Sequence, residues 1–255
     1  MPRVAGVELV LPMAFPDPSR ATHAEVEQCR RLYNDAGLHI PSVQSLAFGK
    51  PELQLLGEQA TRDRFLAHLE RMAQLAHDLG ATRMVFGSPA NRRRGELPAD
   101  VAMDRATDFF LRLGDRLVRH QVTVCIEPNP PIYAKCDFIL RMEEAILLVD
   151  RVRHPQVKVQ LDTGALLFAE QEGHVIEDPV IEQSRALSGH VHLSLPGLAH
   201  ITPEAAQLKT CVERLLPLPQ SWLSIEMMHG NDRDPFARII DAVEAATTWF
   251  PIQAH

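Results

Sequence analysis

The 255 residues carry 33 acidic and 26 basic side chains, a net charge of −7, with 45% hydrophobic and 23% charged content. That composition suits a globular chain with a large core, and the acidic excess argues against a surface built to track nucleic-acid phosphates. No apolar run is long enough to cross a bilayer, the N-terminal MPRVAGVELVLP is a poor signal peptide, and four scattered cysteines without a CxxC pair read as reduced thiols of a cytoplasmic protein.

In chain order, short β-branched runs alternate with long helical patterns. VAGVELVL (4–11) is followed by a helix near 22–36, HIPSVQSL (39–46) by one near 58–79, and RMVFG (83–87) by one near 99–119. VTVCIE (122–127) leads to 138–150, VKVQLD (157–162) to 178–187, HVHLS (190–194) to 203–216, and WLSIEM (222–227) to 235–249. Gly37 and Gly80 stand where helices should stop, and Pro203 and Pro235 where helices should start. There is no linker or shift in composition, so one domain is expected over residues 1–255. The rhythm predicts an α/β fold with a parallel sheet, open or closed into a (β/α) TIM-type barrel. Seven βα units are counted, one short of the eight of a closed barrel.

The fourth to seventh strands finish on Glu127, Asp162, His192 and Glu226. Any one of these serves as readily as a helix cap, a solvated loop charge or a core histidine. Four in succession do not, because the C-terminal strand ends of such a fold open on one face and three carboxylates gathered there need a cation. Three oxygen donors and one imidazole suit Mn²⁺, Mg²⁺ or Co²⁺, with Zn²⁺ as the remaining candidate. Four protein ligands also leave coordination positions for substrate oxygens.

At these residues the chain resembles the xylose-isomerase-like TIM-barrel superfamily. CIEPNPP, VQLDTG, GHVHLS and LSIEM match its metal-bearing strands in order, GVELV matches an early strand, and EPNPP with FGSPANRRRG is similar to its sugar phosphate isomerase/epimerase (AP endonuclease family 2-like) members. The resemblance implies that Glu127, Asp162, His192 and Glu226 bind one divalent cation and that Glu127 and Glu226 are the catalytic acid/base pair. It implies an isomerase or epimerase of a small sugar, sugar phosphate or related α-hydroxy carbonyl compound, working by proton transfer through a metal-stabilised ene-diolate. There are three departures: Ala165 stands where epimerases of the family carry a histidine, HLSLPGLAH lacks their arginine although His200 is near, and the usual first βα unit is missing before GVEL.

Candidate substrate contacts are Glu8 and Gln44 at the first two strand ends, Ser88, Asn91, Arg92 and Arg94 in the loop after the third strand, Lys135 beyond Glu127, and His229 beyond Glu226. Arginine forks match phosphate or carboxylate, although a run such as Arg92–Arg94 is equally a solvated loop. His190 shares the strand face of His192 and reads as a buried polar neighbour. Phe65, Met72, Phe109 and Phe110 read as packing residues. The expected partner is a small polyhydroxy carbonyl compound, with no nucleic acid or membrane, in a monomer or homo-oligomer. Three competing readings remain at this point: a lyase or dehydratase on a keto-sugar at the same site, a non-catalytic or repurposed barrel, and a phosphodiesterase like endonuclease IV. The last would need further histidines, where the early strands end on Gln44 and Ser88–Pro89.

Overall fold

A computed structural model describes residues 4–133, 136–219, 222–228, 230 and 235–250. Among them, seven strands form one parallel sheet in sequential order: β1 (Leu9–Val10), β2 (Ser42–Gln44), β3 (Arg83–Phe86), β4 (Thr123–Ile126), β5 (Val157–Asp162), β6 (Ser188–Leu193) and β7 (Ser224–Ile225). The connecting helices are α1 (Leu11–Ala14), α2 (His23–Asp35), α3 (Gln59–Leu79), α4 (Ala99–Leu117), α5 (Met142–Val152), α6 (Thr163–Gln171), α7 (Asp178–Leu187), α8 (Ala206–Leu215) and α9 (Pro235–Trp249). This is a curled TIM-type half-barrel. No described helix is long and apolar enough to cross a membrane.

Local chemistry explains most boundaries. Thr22 and Glu25 form a reciprocal capping box at the start of α2, and Gly80 ends α3 with φ 89°. Phe65, Phe86, Phe109 and Phe110 interlock between α3, α4 and β3, with ring centroids 5.3–5.9 Å apart. Met72 is buried on the same helix as Phe65.

Three elements depart from the sequence expectation. Helix α6 is additional, so β5 is followed by two helices; Asp162 caps it, its Oδ1 accepting from Gly164 N at 2.7 Å. Helix α5 starts at Met142 rather than 138, because 137–140 is bound into the neighbouring loop, with Asp137 accepting from the Arg94 and Gly95 amides. Helix α8 starts at Ala206, and Pro203 lies in the turn before it.

Two features bring the strand ends into register. A bulge between Val159 and Gln160 changes the pairing from Val159 with Ser188 to Gln160 with His190, and so sets Asp162 level with His192. Had the register run on unshifted from Val159 and Ser188, Asp162 would pair with Val191, whose side chain points to the other side of the sheet. At the open edge, β1 and β7 share no ladder among the described residues. Side chains bridge the gap: the His39 and Trp222 rings meet edge to face at 5.8 Å, and Ser224 Oγ reaches Glu8 at 3.4 Å. The seven strands therefore curl until the first and last touch through side chains.

Candidate metal centre

Strands β4 to β7 deliver one ligand each. Glu127, Asp162, His192 and Glu226 each offer an atom, and these atoms all lie within 4.8 Å of one another. Glu127 and Glu226 follow directly on β4 and β7, and Asp162 closes β5. His192 Nδ1 stands 3.1 Å from Glu127 Oε1 and 3.1 Å from Glu226 Oε2. Its ring is fully buried, whereas the Glu226 side chain keeps 21% of its surface. The cluster thus has a closed floor and one open side.

Two of the carboxylates are each fixed by a neighbouring side chain. Asn129 Nδ2 donates to Glu127 Oε2 at 2.9 Å, and Ser194 Oγ donates to Asp162 Oδ1 at 2.5 Å. Arg92 Nη1 donates to the Glu127 carbonyl oxygen at 2.7 Å and Nη2 to that of Ile139 at 3.2 Å, clamping the chain where β4 ends. Gly87 gives Glu127 its space, since a Cβ there would collide with Glu127 Oε2 and lie 3.2 Å from Asn129 Oδ1.

The electrostatics are strained in a way that a cation relieves. Two carboxylates whose oxygens lie within 4.8 Å repel by about 3–4 kcal/mol at an effective dielectric of about 20. Burial, then the Glu127 and Glu226 charges, push Asp162 up to about 7. Burial opposes a charged His192, but the Glu8 and Glu226 carboxylates outweigh it and hold the ring well above its ordinary value. Burial likewise opposes a charged Glu226, and the His192 ring outweighs it to hold that carboxyl below its usual range. Most telling, Glu127 Oε1 and Glu226 Oε2 converge on His192 Nδ1, each at 3.1 Å, so in the metal-free chain one ring proton has to serve two carboxylates, with Asp162 beside them. A divalent cation in place of that proton would satisfy all four groups at once.

The other expected contacts divide. Gln44 Nε2 donates to Glu8 Oε1 at 2.9 Å, and its amide helps to lower the Glu226 carboxyl, so it borders the cluster. Glu8 lies beneath His192, its Oε1 2.7 Å from Nε2. Asn91 is buried and donates to the Lys50 and Leu53 carbonyl oxygens, tying the loop after β3 to the loop after β2. Arg92 is buried as described, and Arg94 Nη1 is bound to the Leu97 carbonyl oxygen. Ser88 occupies a left-handed turn (φ 41°). Lys135 and His229 lie outside the described residues. His190 is buried next to His192, as its strand position implies, with Nε2 2.8 Å from Ser224 Oγ.

Three residues escaped the sequence reading. Asn129 and Ser194 each stand two positions after a ligand, on the same strand face or its continuation, which is the signal that could have found them. Tyr133 had none. Its hydroxyl oxygen accepts from Gly197 N at 3.0 Å, joining the loops after β4 and β6. Burial, and then the Asp162, Glu226 and Glu127 charges, raise this phenol above its ordinary value and keep it a neutral donor.

Comparison with known proteins follows the same lines. The family described as "Xylose isomerase-like TIM barrel" matches residues 4–200, a span that carries Glu127, Asp162 and His192 but ends before Glu226. No curated protein matches the sequence. Similar solved structures include a D-psicose 3-epimerase in the presence of D-fructose, at 15% identity and TM-score 0.71, covering 91% of this chain and 84% of that one. The 3-keto-D-glucoside 4-epimerase of E. coli is similar at 14% identity and TM-score 0.71, covering 96% and 88%. An AP endonuclease, family 2, from Brucella melitensis is similar at 20% identity and TM-score 0.60, covering 98% and 89%. At these identities the likeness is one of fold.

Proposed function

The chain belongs to the xylose isomerase-like TIM-barrel family, and on that footing we propose that it is a divalent-metal-dependent isomerase or epimerase of a small α-hydroxy carbonyl compound of the sugar class. The observation that carries this reading is the convergence of Glu127, Asp162, His192 and Glu226, each with one ligand atom within 4.8 Å of the others. Glu127, Asp162, His192 and Glu226 would hold the cation, with Mn²⁺, Mg²⁺ and Co²⁺ suiting this donor set and Zn²⁺ also admissible. When bound, the cation supplies Lewis-acid polarisation of adjacent carbonyl and hydroxyl oxygens, which acidifies the neighbouring C–H.

The protein's own residues do the rest. Glu127 and Glu226 come from strands on either side of His192, and both have an oxygen 3.1 Å from its ring. One carboxylate takes the carbon-bound proton, and the other returns a proton to the opposite face, inverting that carbon. Return to the adjacent carbon would instead move the carbonyl. Asn129 and Gln44 orient the two carboxylates. Tyr133 has a phenolic proton to donate to a substrate hydroxyl at the open side of the cluster.

The test is a screen of ketoses and keto-acids by NMR in D₂O with Mn²⁺-, Mg²⁺- or Co²⁺-loaded protein. The reading predicts solvent deuterium at one carbon next to the carbonyl of the true substrate, with loss of that exchange in Glu127→Gln and in Glu226→Gln. Equal exchange in wild type and both variants would refute the acid/base assignment. Dehydrated products in place of exchanged ones would point to a lyase.

A further inference from the structure

The histidine of the cluster is held from behind. His192 turns Nδ1 toward Glu127 and Glu226, while Nε2, on the other side of the ring, stands 2.7 Å from Glu8 Oε1. Glu8 is not placed to meet a substrate: its side chain is 6% exposed and both of its oxygens are engaged. Oε1 also accepts from Gln44 Nε2 at 2.9 Å. Oε2 accepts from Ser42 Oγ at 2.6 Å, faces His190 Nε2 at 3.0 Å and is reached by Ser224 Oγ at 3.4 Å. These partners come from β2, β6 and β7, whereas Glu8 itself directly precedes β1.

We infer that Glu8 is the positioning residue of the metal centre: its carboxylate holds His192 by the Nε2 proton, so that Nδ1 faces the cation site, and it links that orientation to closure of the barrel between the first and last strands. The argument is one of hydrogen-bond inventory. A carboxylate only accepts, so Nε2 carries the proton shared with Glu8, and once a cation displaces the proton that Glu127 and Glu226 draw onto Nδ1, the ring keeps its proton on Nε2 and offers the Nδ1 lone pair. Such partners behind a metal-binding histidine fix both the ring angle and the tautomer. No other partner for this nitrogen is seen among the described residues. The link to closure follows from Ser224 of β7, whose Oγ reaches both Glu8 Oε2 and His190 Nε2.

The inference rests on the metal reading, but it is testable apart from it. In ¹⁵N-labelled protein, long-range ¹H–¹⁵N spectra should show a solvent-protected Hε2 proton on His192, assigned by its loss in His192→Gln, in the metal-free chain and in the Mg²⁺-loaded one. Glu8→Ala should lose that signal and weaken Mn²⁺ binding by about 10- to 100-fold. Glu8→Gln keeps an acceptor for Nε2 and should fall between Glu8→Ala and wild type, and it decides the matter if Glu8→Ala does not fold. Ser42→Ala removes a donor from the other oxygen and should lower the melting temperature while leaving Mn²⁺ affinity unchanged, which separates positioning from general support. A protected Hε2 in Glu8→Ala, or wild-type Mn²⁺ affinity in a folded Glu8→Gln, would overturn the inference. If the wild-type chain takes up no cation, the proposed function fails, and the Hε2 signal of the metal-free chain still decides the role of Glu8.

Discussion

A residue's chemistry here depends on which of its atoms is left free. Glu127 is a buried acid whose Oε2 is bound by Asn129 and whose Oε1 is left to face His192 Nδ1 at 3.1 Å. Replacing Asn129 with Ala should therefore leave the fold intact and lower kcat/KM for the true substrate by about 10-fold, the cost of about one hydrogen bond to a charged group. Tyr133→Phe should raise KM without changing Mn²⁺ affinity, because the phenol meets the cluster's open side and none of its ligands; calorimetry beside steady-state kinetics checks the split. The thiols give a prediction in pH. Burial pushes Cys125 and Cys211 up to about 12, against about 8.5 for a free cysteine. The folded state thus holds these protons more tightly than the unfolded one. Their contribution to stability is complete below about pH 8.5 and is lost as pH rises towards 12. A thiol reagent at pH 8 should accordingly leave both unmodified until denaturant is added.

At the scale of elements, the site depends on a bulge and a clamp. The bulge residue Gly189 has Cys125 Sγ and Lys158 Cβ 2.8 Å from where a Cβ would stand, so Gly189→Val should disturb the register that sets Asp162 beside His192. The expected result is a large loss of Mn²⁺ affinity together with a lower melting temperature. Arg92→Leu should cost roughly 1–3 kcal/mol in denaturant unfolding, since it strips the buried Glu127 carbonyl oxygen of its guanidinium donor and leaves the Ile139 carbonyl oxygen only the Asn129 amide. These two devices also mark how far the sequence was legible. The alternation of VTVCIE with amphipathic helices was enough to place all seven strands, because each is a compact apolar run beside a helix of regular period. The four ligands followed from their position at strand ends. Helix α6, TGALLFAEQ, carries apolar residues almost all round and is capped by Asp162 itself, so it lacked both the period and a separate start signal. Arg92 read as a substrate contact or a solvated loop charge because the carbonyl oxygens it binds, those of Glu127 and Ile139, belong to a different part of the chain. Glu8 read as a substrate contact because its partner His192 is 184 positions away in sequence.

For the molecule as a whole, the sheet is a curled half-barrel of seven strands whose first and last meet through side chains, and the cluster sits on the face where β4 to β7 end. Acidic groups are concentrated there at a cost that the chain's own His192 only partly offsets. A cation should therefore stabilise the whole fold: at about 100 times its Kd the gain is about 2.7 kcal/mol, or roughly 5–10 °C in melting temperature for a chain of this size. Chelation should reverse the shift. The central claim is that these four residues make one cation site. Its most direct test is calorimetric titration of the metal-free chain with Mn²⁺, which should show one saturable site per chain that disappears in His192→Ala. No saturable binding in wild type, or unchanged binding in His192→Ala, would contradict the account.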